Sequence, residues 1–310
     1  MKRFPLLLTL TALMMTMLLT LSGCGNTQSA SDNTADGNKK ISVYTSFYPM
    51  YDFAKNIGGD KITLVNLVPA GTEPHDWEPA PSDIANLEKG DVLIYNGAGM
   101  ESWMDKTLSS LSNKNLITVD TSKNLKLLDN QDADEHLAHD PHVWLNPENA
   151  KEQAAAIKNA FVQADPANKD YYEQNYTTFA QKLDALDQDY KDAAKTFKQK
   201  DIVVSHQAFG YLCQAYGLTQ VPLEGLSADS EPTPARMAEI EDFVKQNNIK
   251  YIFAEELISP KTAEAIARDT GAQTVVLNPL EGLSNDDQQA GKDYITVMKD
   301  NLELLKKALQ

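Results

Sequence analysis

The sequence predicts an α/β protein with two (β/α) lobes, mostly parallel sheets, and one long rigid helix joining the lobes across a cleft. Short β-branched runs alternate with segments of helical spacing in both halves of the chain. That pattern is typical of parallel sheets covered by helices on both faces. Between the halves, from 167 to 200, no glycine or proline interrupts the helical spacing. A chain of 310 residues is long enough to bury two cores.

The N-terminus has the features of an export signal. Two basic residues precede a long apolar run, which closes with small residues at Cys24. We predict a signal peptide over 1–23, and its ending resembles the bacterial lipobox, in which the cysteine is lipidated and becomes the new N-terminus. Residues 24–40 have almost no large apolar side chains, as expected of a flexible, lipid-anchored tether. The mature protein is therefore expected outside the cytoplasm, anchored to the cell membrane.

The first predicted lobe, residues 41–165, alternates strands with helices. Its β-rich runs predict strands at 41–46, 62–68, 92–95 and 116–119. Its helical spacing predicts helices at 50–57, 82–89 and 103–111. Ser82 is the expected cap of the second of these helices. Asn146 followed by Pro147 predicts the start of a further helix.

The predicted linking helix, residues 166–200, opens with the same kind of start signal, an aspartate followed by Pro166. Its uninterrupted part would be roughly 50 Å long at about 1.5 Å per residue, enough to cross a domain. The second predicted lobe, 201–310, repeats the alternation of the first. Its strands are expected at 202–205, 251–254 and 274–277, with a short strand or a loop starting at 221–223. Its helices are expected at 208–216, 234–246, 260–270 and 294–309.

Charge, cysteine content and motifs narrow the function classes. The net charge of −16 argues against nucleic acid, which needs a cationic face, and against an anionic membrane surface. If Cys24 is lipidated, Cys213 is the only other cysteine, so no disulfide is expected and Cys213 is predicted to be a buried free thiol. The sequence contains no Walker motif, no GxGxxG before a helix, no HExxH and no GxSxG. Nucleotide binding and serine hydrolysis therefore have no support.

Three of the five histidines occupy positions expected of ligands. His206 directly follows a predicted strand, and His75 lies a few residues past another. His142 lies in the loop ahead of the helix that Asn146 caps. Because ligands of open α/β sheets bind outside the carboxyl ends of the strands, we expect these three side chains to meet in the cleft between the lobes.

A carboxylate is expected to complete the set. Glu281 lies a few residues past the last predicted strand, although strand-end position alone would also allow Glu255 or Glu256. Three neutral imidazoles and one carboxylate suit Zn²⁺, whereas exchanging imidazoles for carboxylates would favour Mn²⁺. A histidine with a pKa near about 6.5 is mostly neutral at pH 7, so binding needs little proton release.

The other two histidines, His136 and His139, lie in an acidic loop from 129 to 140. Together with the neighbouring acids they could hold zinc loosely, as an auxiliary metal loop. The alternative is a solvated mobile loop, which the sequence favours as the structure, while a role in gathering cations stays open.

Four motifs resemble those of the zinc and manganese substrate-binding lipoproteins of ABC importers, the cluster A family that includes zinc-uptake and adhesin-type members. The motifs are EPHDWEP at 73–79, DPHVWLNP at 140–147, SHQAFGYL at 205–212 and NPLEGL at 278–283. The resemblance runs from about residue 41 to the C-terminus. It implies two lobes joined by one long helix, with metal ligands at His75, His142, His206 and Glu281.

The same resemblance indicates the metal and the partners. Manganese members of the family carry a glutamate at the position of His206 and usually an aspartate as the fourth ligand, so this chain is similar to the zinc members. The implied function is a monomeric lipoprotein that captures Zn²⁺ and delivers it to a cognate ABC permease without being an enzyme. The alternatives are a manganese-binding protein of the same family, an adhesin, and a zinc-dependent hydrolase, whose metal would keep an open position for water.

Overall fold

The first sheet is built from four strands that follow one another in the first half of the chain. They are β1 (Ile41–Thr45), β2 (Ile62–Asn66), β3 (Val92–Tyr95) and β4 (Ile117–Asp120), in the order β2-β1-β3-β4. Every pair is parallel. The computed structural model describes residues 40–130, 137–227 and 232–310. The signal peptide, Cys24, the tether up to residue 39 and His136 lie outside these ranges.

Four helices accompany this sheet: α1 (Tyr48–Gly58), α2 (Pro81–Leu87), α3 (Met104–Ser110) and α4 (Pro147–Ala164). The predicted cap of α2 at Ser82 is wrong. Ala80 is the cap residue, its N–H donates to Asp83 Oδ2 at 2.8 Å, and Pro81 takes the first helical position, where proline's missing N–H has no consequence. The predicted cap of α4 is confirmed, because Asn146 Oδ1 accepts from the backbone N–H of Glu148 at 3.0 Å.

A long helix follows, and it is shorter than predicted. A 3₁₀ turn at Pro166–Asn168 leads into α5 (Lys169–Ala194), which has 26 residues. The helix ends without a glycine or proline because side chains take over its last carbonyl groups. The hydroxyl of Thr196 donates to the carbonyl of Ala193 at 2.7 Å, and Lys200 Nζ donates to the carbonyl of Ala194 at 2.8 Å.

The second sheet repeats the first. Its strands are β5 (Asp201–Val204), β6 (Thr219–Pro222), β7 (Tyr251–Ala254) and β8 (Gln273–Val276), all parallel, in the order β6-β5-β7-β8. The helices are α6 (Gly210–Tyr216), α7 (Pro234–Gln246), α8 (Lys261–Thr270), α9 (Asn285–Gln289) and α10 (Tyr294–Leu309). Only α9 was not predicted, since its five polar residues carry no apolar spacing. The two-lobed α/β prediction is confirmed.

Helix α5 packs against elements of both halves. It contacts α1 and α4 on one side and α6 and α10 on the other. Phe179 of α5 packs against Phe53 of α1 with ring centroids 5.6 Å apart, and the Tyr190 hydroxyl donates to the carbonyl of Met298 in α10 at 2.7 Å. The two halves therefore share one apolar cluster along this helix. Within the described ranges, no helix combines the length and the apolar character needed to span a membrane.

Candidate metal centre

Four loops at the carboxyl ends of strands deliver the candidate residues. His75 lies in the loop after β2, and His142 lies after β4, just ahead of a 3₁₀ turn and α4. His206 is the second residue after β5, and Glu281 lies in the loop between β8 and α9. The structure thus brings together two residues that precede α5 and two that follow it. All four are named by the sequence patterns.

The donor atoms of these four residues converge on one point. Glu281 Oε1 lies 3.3 Å from His75 Nε2, 2.9 Å from His142 Nε2 and 3.2 Å from His206 Nε2. His142 Nε2 is also 3.3 Å from the Nε2 atoms of both other histidines. A tetrahedral zinc ion with bonds of about 2.0–2.1 Å would separate its donors by about 3.3–3.4 Å. The spacing therefore fits such an ion with only small adjustments.

The site is shielded from water. His142 and His206 have no exposed side-chain surface, Glu281 is 2% exposed, and His75 is 5% exposed. His75 is the only one of the four residues that is not fully buried as a whole. A buried carboxylate among imidazoles needs a partner with positive charge, either protons or a metal cation. Among the described residues this is the only cluster of three or more histidine, cysteine or acidic side chains close enough to hold one ion.

Two further carboxylates lie behind the histidines. Asp140 Oδ1 accepts from the backbone N–H of His142 at 2.9 Å and lies 2.8 Å from its Nδ1. Glu255 Oε1 accepts from the backbone N–H of His206 at 3.1 Å and lies 2.7 Å from its Nδ1. A carboxylate that accepts the Nδ1 proton fixes the tautomer and directs the Nε2 lone pair toward the metal position. Both histidines are therefore oriented to bind a metal through Nε2.

The register of the second sheet explains the place of Glu255. Val204 of β5 pairs with Phe253 of β7. His206 and Glu255 each lie two residues further on, so they leave the sheet side by side. Glu255 is thereby committed to the Nδ1 atom of His206, while the other candidate, Glu256, accepts from Asn278 Nδ2 at 2.8 Å. Neither is part of the four-residue cluster, although the sequence had left both open as alternatives to Glu281.

The nearby carboxylates and imidazoles shift the pKa values of the buried residues in this cluster. Burial acts to lower the pKa of His142, but the hydrogen bonds to Asp140 and Glu281 outweigh it and raise the pKa above its usual value. Burial has the same effect on His206, and Glu255 and Glu281 raise its pKa well above the usual value. Burial acts to raise the pKa of Glu281, yet the charge of His206 and the imidazole hydrogen bonds hold it well below its usual range. The centre therefore attracts positive charge.

The loop ahead of His142 is tied to both halves of the chain. Asn96, at the end of β3, donates from Nδ2 to the carbonyl of Pro141 at 2.9 Å. The Tyr211 hydroxyl of α6 donates to the carbonyl of Asp140 at 2.9 Å and accepts from the backbone N–H of Leu128 at 2.9 Å. These contacts fix the backbone on either side of the residues that orient His142.

The other sequence-predicted residues lie elsewhere. His139 pairs with Asp129, with Nδ1 3.2 Å from Oδ1, and both side chains are substantially exposed. His139 is not part of the buried cluster, and its partner in the prediction, His136, lies outside the described residues. Cys213 is a buried free thiol on α6, as predicted, and burial raises its pKa.

Sequence reasoning did not assign the roles of Asp140 and Glu255. Asp140 lies inside a motif singled out above, two residues before His142, and the turn between them is what lets one carboxylate reach both the backbone and Nδ1. For Glu255, the sequence showed only that an acidic residue directly follows a predicted strand. Its partner could be found only from the order of strands in the sheet.

The fold and this cluster define the class of two-lobed substrate-binding proteins with a metal centre. The chain belongs to the family described as zinc-uptake complex component A, periplasmic, whose model matches residues 43–308. The family resemblance inferred from the four motifs is thereby confirmed.

Individual relatives extend this result. The high-affinity zinc uptake system protein ZnuA of Bacillus subtilis is 41% identical over 301 residues, 94% of each chain. The zinc-binding lipoprotein AdcA of Streptococcus pneumoniae is 38% identical over 299 residues, and the match spans 93% of this chain but 60% of AdcA. A crystal structure of the Zn(II)-bound ZnuA-like domain of AdcA has a TM-score of 0.77, at 38% identity, covering 87% of this chain and 99% of that domain.

A third relative carries a second activity in its description. The laminin-binding protein Lmb of Streptococcus agalactiae is described as bifunctional, with adhesin and metal-transporting activity. It matches with a TM-score of 0.79 and 34% identity, over 87% of this chain and all of Lmb.

Proposed function

We propose that this protein is the extracytoplasmic zinc-binding component of an importer and that it captures Zn²⁺ with His75, His142, His206 and Glu281. The observation that carries the proposal is the convergence of three imidazole nitrogens and one carboxylate oxygen, all within 4.8 Å of one another. Three nitrogens and one oxygen form a borderline donor set that suits zinc. Zinc is the cargo, so the site must both bind and release it.

The test is a zinc titration against a chromophoric chelator at pH 7.5 and pH 5.5. Zinc must displace protons from the imidazoles, and the raised pKa values of His142 and His206 strengthen this competition. We expect affinity to fall markedly at pH 5.5. His206→Ala should lower affinity at pH 7.5 by more than the 10–100-fold typical of losing an outer partner. Equal affinity at both pH values would contradict a three-histidine site.

Selectivity for zinc over manganese rests on the histidine at 206. Exchanging an imidazole for a carboxylate makes the donor set harder and favours Mn²⁺. Elemental analysis of the purified protein should find zinc. His206→Glu should shift the preference toward manganese in a competition titration, and a wild-type chain that prefers manganese would overturn the zinc assignment.

We further propose that the protein binds the ion without acting as an enzyme. A catalytic zinc has three protein ligands and one position for water, whereas here a fourth donor, Glu281 Oε1, is placed among the imidazoles. A metal-bound structure with Glu281 detached and a water on the ion would instead favour the hydrolase alternative.

Anchoring and delivery complete the proposal. A lipid on Cys24 would hold the mature chain, residues 24–310, at the membrane beside a cognate ABC permease, with 24–40 as the tether. The lobe boundaries 41–165 and 201–310 and the linking segment 166–200 remain proposals of the same kind. An adhesin role, described for Lmb, has no observation of its own on this chain.

A further inference from the structure

The loop that carries Glu281 has an unusual backbone conformation. Leu280, the residue directly before it, has a φ of 60°. This left-handed region is unfavourable for a residue with a Cβ, and the apolar side chain of leucine cannot form the hydrogen bond by which asparagine or aspartate stabilises it. Leu280 is also fully buried. Neighbouring groups must therefore hold the turn that sets the direction of Glu281.

Asn278 supplies the nearest of these groups. Its Oδ1 accepts from the backbone N–H of Leu280 at 2.7 Å, which closes a short side-chain turn over Pro279. Its Nδ2 donates to Glu256 Oε2 at 2.8 Å. The side chain of Asn278 thus stabilises the positive φ of Leu280, which is unfavourable without this hydrogen bond.

A second asparagine holds the backbone of the first. Asn301 lies on α10 and is 3% exposed. Its Oδ1 accepts from the backbone N–H of Asn278 at 3.0 Å, and its Nδ2 donates to the carbonyl of Asn278 at 2.7 Å. One side-chain amide therefore pairs with both backbone groups of one residue, in the way a neighbouring strand would.

Asn301 is a polar residue on a face of α10 that is otherwise mostly apolar, so packing does not explain why an asparagine is found there. The buried face of α10 is otherwise made mostly of apolar side chains, among them Val297, Met298, Leu302 and Leu305. A polar side chain on such a face is tolerated when its hydrogen bonds are satisfied, and it then specifies one arrangement. Here the arrangement that it specifies is the start of the loop that ends at Glu281.

We propose that Asn278 and Asn301 are positioning residues for zinc, which act by holding Glu281 Oε1 among the three imidazoles. Asn301 fixes the backbone of Asn278, Asn278 fixes the turn at Leu280, and the turn directs Glu281. The inference rests on the proposed zinc site. Without the amide pair the loop can relax toward negative φ at Leu280, and the carboxylate withdraws from the ion while the histidines remain.

The test is a double-mutant cycle on zinc affinity at pH 7.5, with zinc alone and a competing chelator. Asn301→Ala in the otherwise unchanged chain should lower affinity by about 10–100-fold, as outer partners of metal ligands do. In a chain that already carries Glu281→Ala, the same substitution should change affinity by less than about twofold, because the two residues act through one interaction. Asn278→Ala should behave like Asn301→Ala in both chains.

Leu305→Ala is the matched control, since Leu305 is buried one turn along the same helix and its apolar side chain cannot hydrogen-bond to the loop. It should lower the unfolding temperature and leave zinc affinity unchanged. The proposal is overturned if Asn301→Ala and Asn278→Ala bind zinc as the unchanged chain does, or if they lose the same factor with and without Glu281. If Glu281→Ala alone has no effect while His206→Ala abolishes binding, zinc capture stands but both Glu281 and its positioning are refuted.

Discussion

In each of the two fully buried histidines, the two ring nitrogens face different partners. The Nε2 atoms of His142 and His206 face the cluster, and their Nδ1 atoms face Asp140 and Glu255. A histidine held in this way presents one tautomer, so less reorganisation is needed when the ion arrives. The backbone of His75 is held by a nearby carboxylate, because its N–H donates to both side-chain oxygens of Glu73, at 3.0 and 3.1 Å.

The carboxylate behind His206 leads to the first prediction. Glu255→Gln removes the negative charge next to Nδ1 and should lower zinc affinity by about 10–100-fold. Glu264→Gln is the control, because that carboxylate is exposed on α8 in the same half of the chain. Chelator competition at pH 7.5 measures both. A loss that is the same for both variants would mean that net charge, rather than the hydrogen bond to His206, is what matters.

The residue scale also shows where sequence reasoning ends. The four cluster residues were named from motifs and strand ends, since each lies within a few residues of a recognisable element boundary. The choice between Glu281 and Glu255 depended on family resemblance alone. What separates them is geometry across the sheet: β5 lies next to β7, so Glu255 faces His206 Nδ1 rather than the ion.

At the scale of elements, the predicted boundaries fail where side chains, rather than glycine or proline, end a helix. Helices α6 and α8 were predicted to end before Gly217 and Gly271, and both glycines adopt the left-handed conformation there. Helix α5 ends at Ala194, six residues earlier than predicted, through Thr196 and Lys200. Such caps depend on where the chain goes next, which local patterns do not contain.

The contact between α1 and the start of α10 contains a buried carboxylate, Asp52 of α1, which should make the stability of the fold depend on pH. This carboxylate is 4% exposed, and it accepts a hydrogen bond from the backbone N–H of Tyr294 at the start of α10. Burial first, and the charge of Asp293 second, raise its pKa to about 7. Between about pH 4 and pH 7 the folded chain keeps a proton here that the unfolded chain has lost. This group therefore makes the free energy of unfolding fall as pH rises through that window, by up to about 1.4 kcal/mol per pH unit.

Asp52→Asn removes this titration while keeping an oxygen that can accept from Tyr294. The variant should gain stability relative to the unchanged chain as pH rises from 4.5 to 7.5, by a few kcal/mol in total. Urea unfolding of the metal-free proteins at the two pH values measures the difference. Asp60→Asn is the control, because that side chain is exposed. A difference that does not change with pH would show that Asp52 is charged throughout.

At the scale of the whole molecule, the fold is one arrangement used twice. Both sheets have their second strand at one edge and their fourth at the other, with the first and third between them. Alternation of strands and helices was enough to predict two similar halves. The sheet order was not predicted, and neither was the apolar cluster that runs along α5 through both halves, because both depend on contacts between distant segments.

Because His75 and His142 precede α5 while His206 and Glu281 follow it, a bound ion should link the two halves and stabilise them together. Zinc at about 100 times its dissociation constant should add about 2.7 kcal/mol to the free energy of unfolding, seen as a rise in the unfolding temperature at pH 7.5. His142→Ala and His206→Ala each remove a donor from one half, and each should abolish most of the rise. If one variant kept the full rise while the other lost it, the ion would be held by a single half and would not link the two.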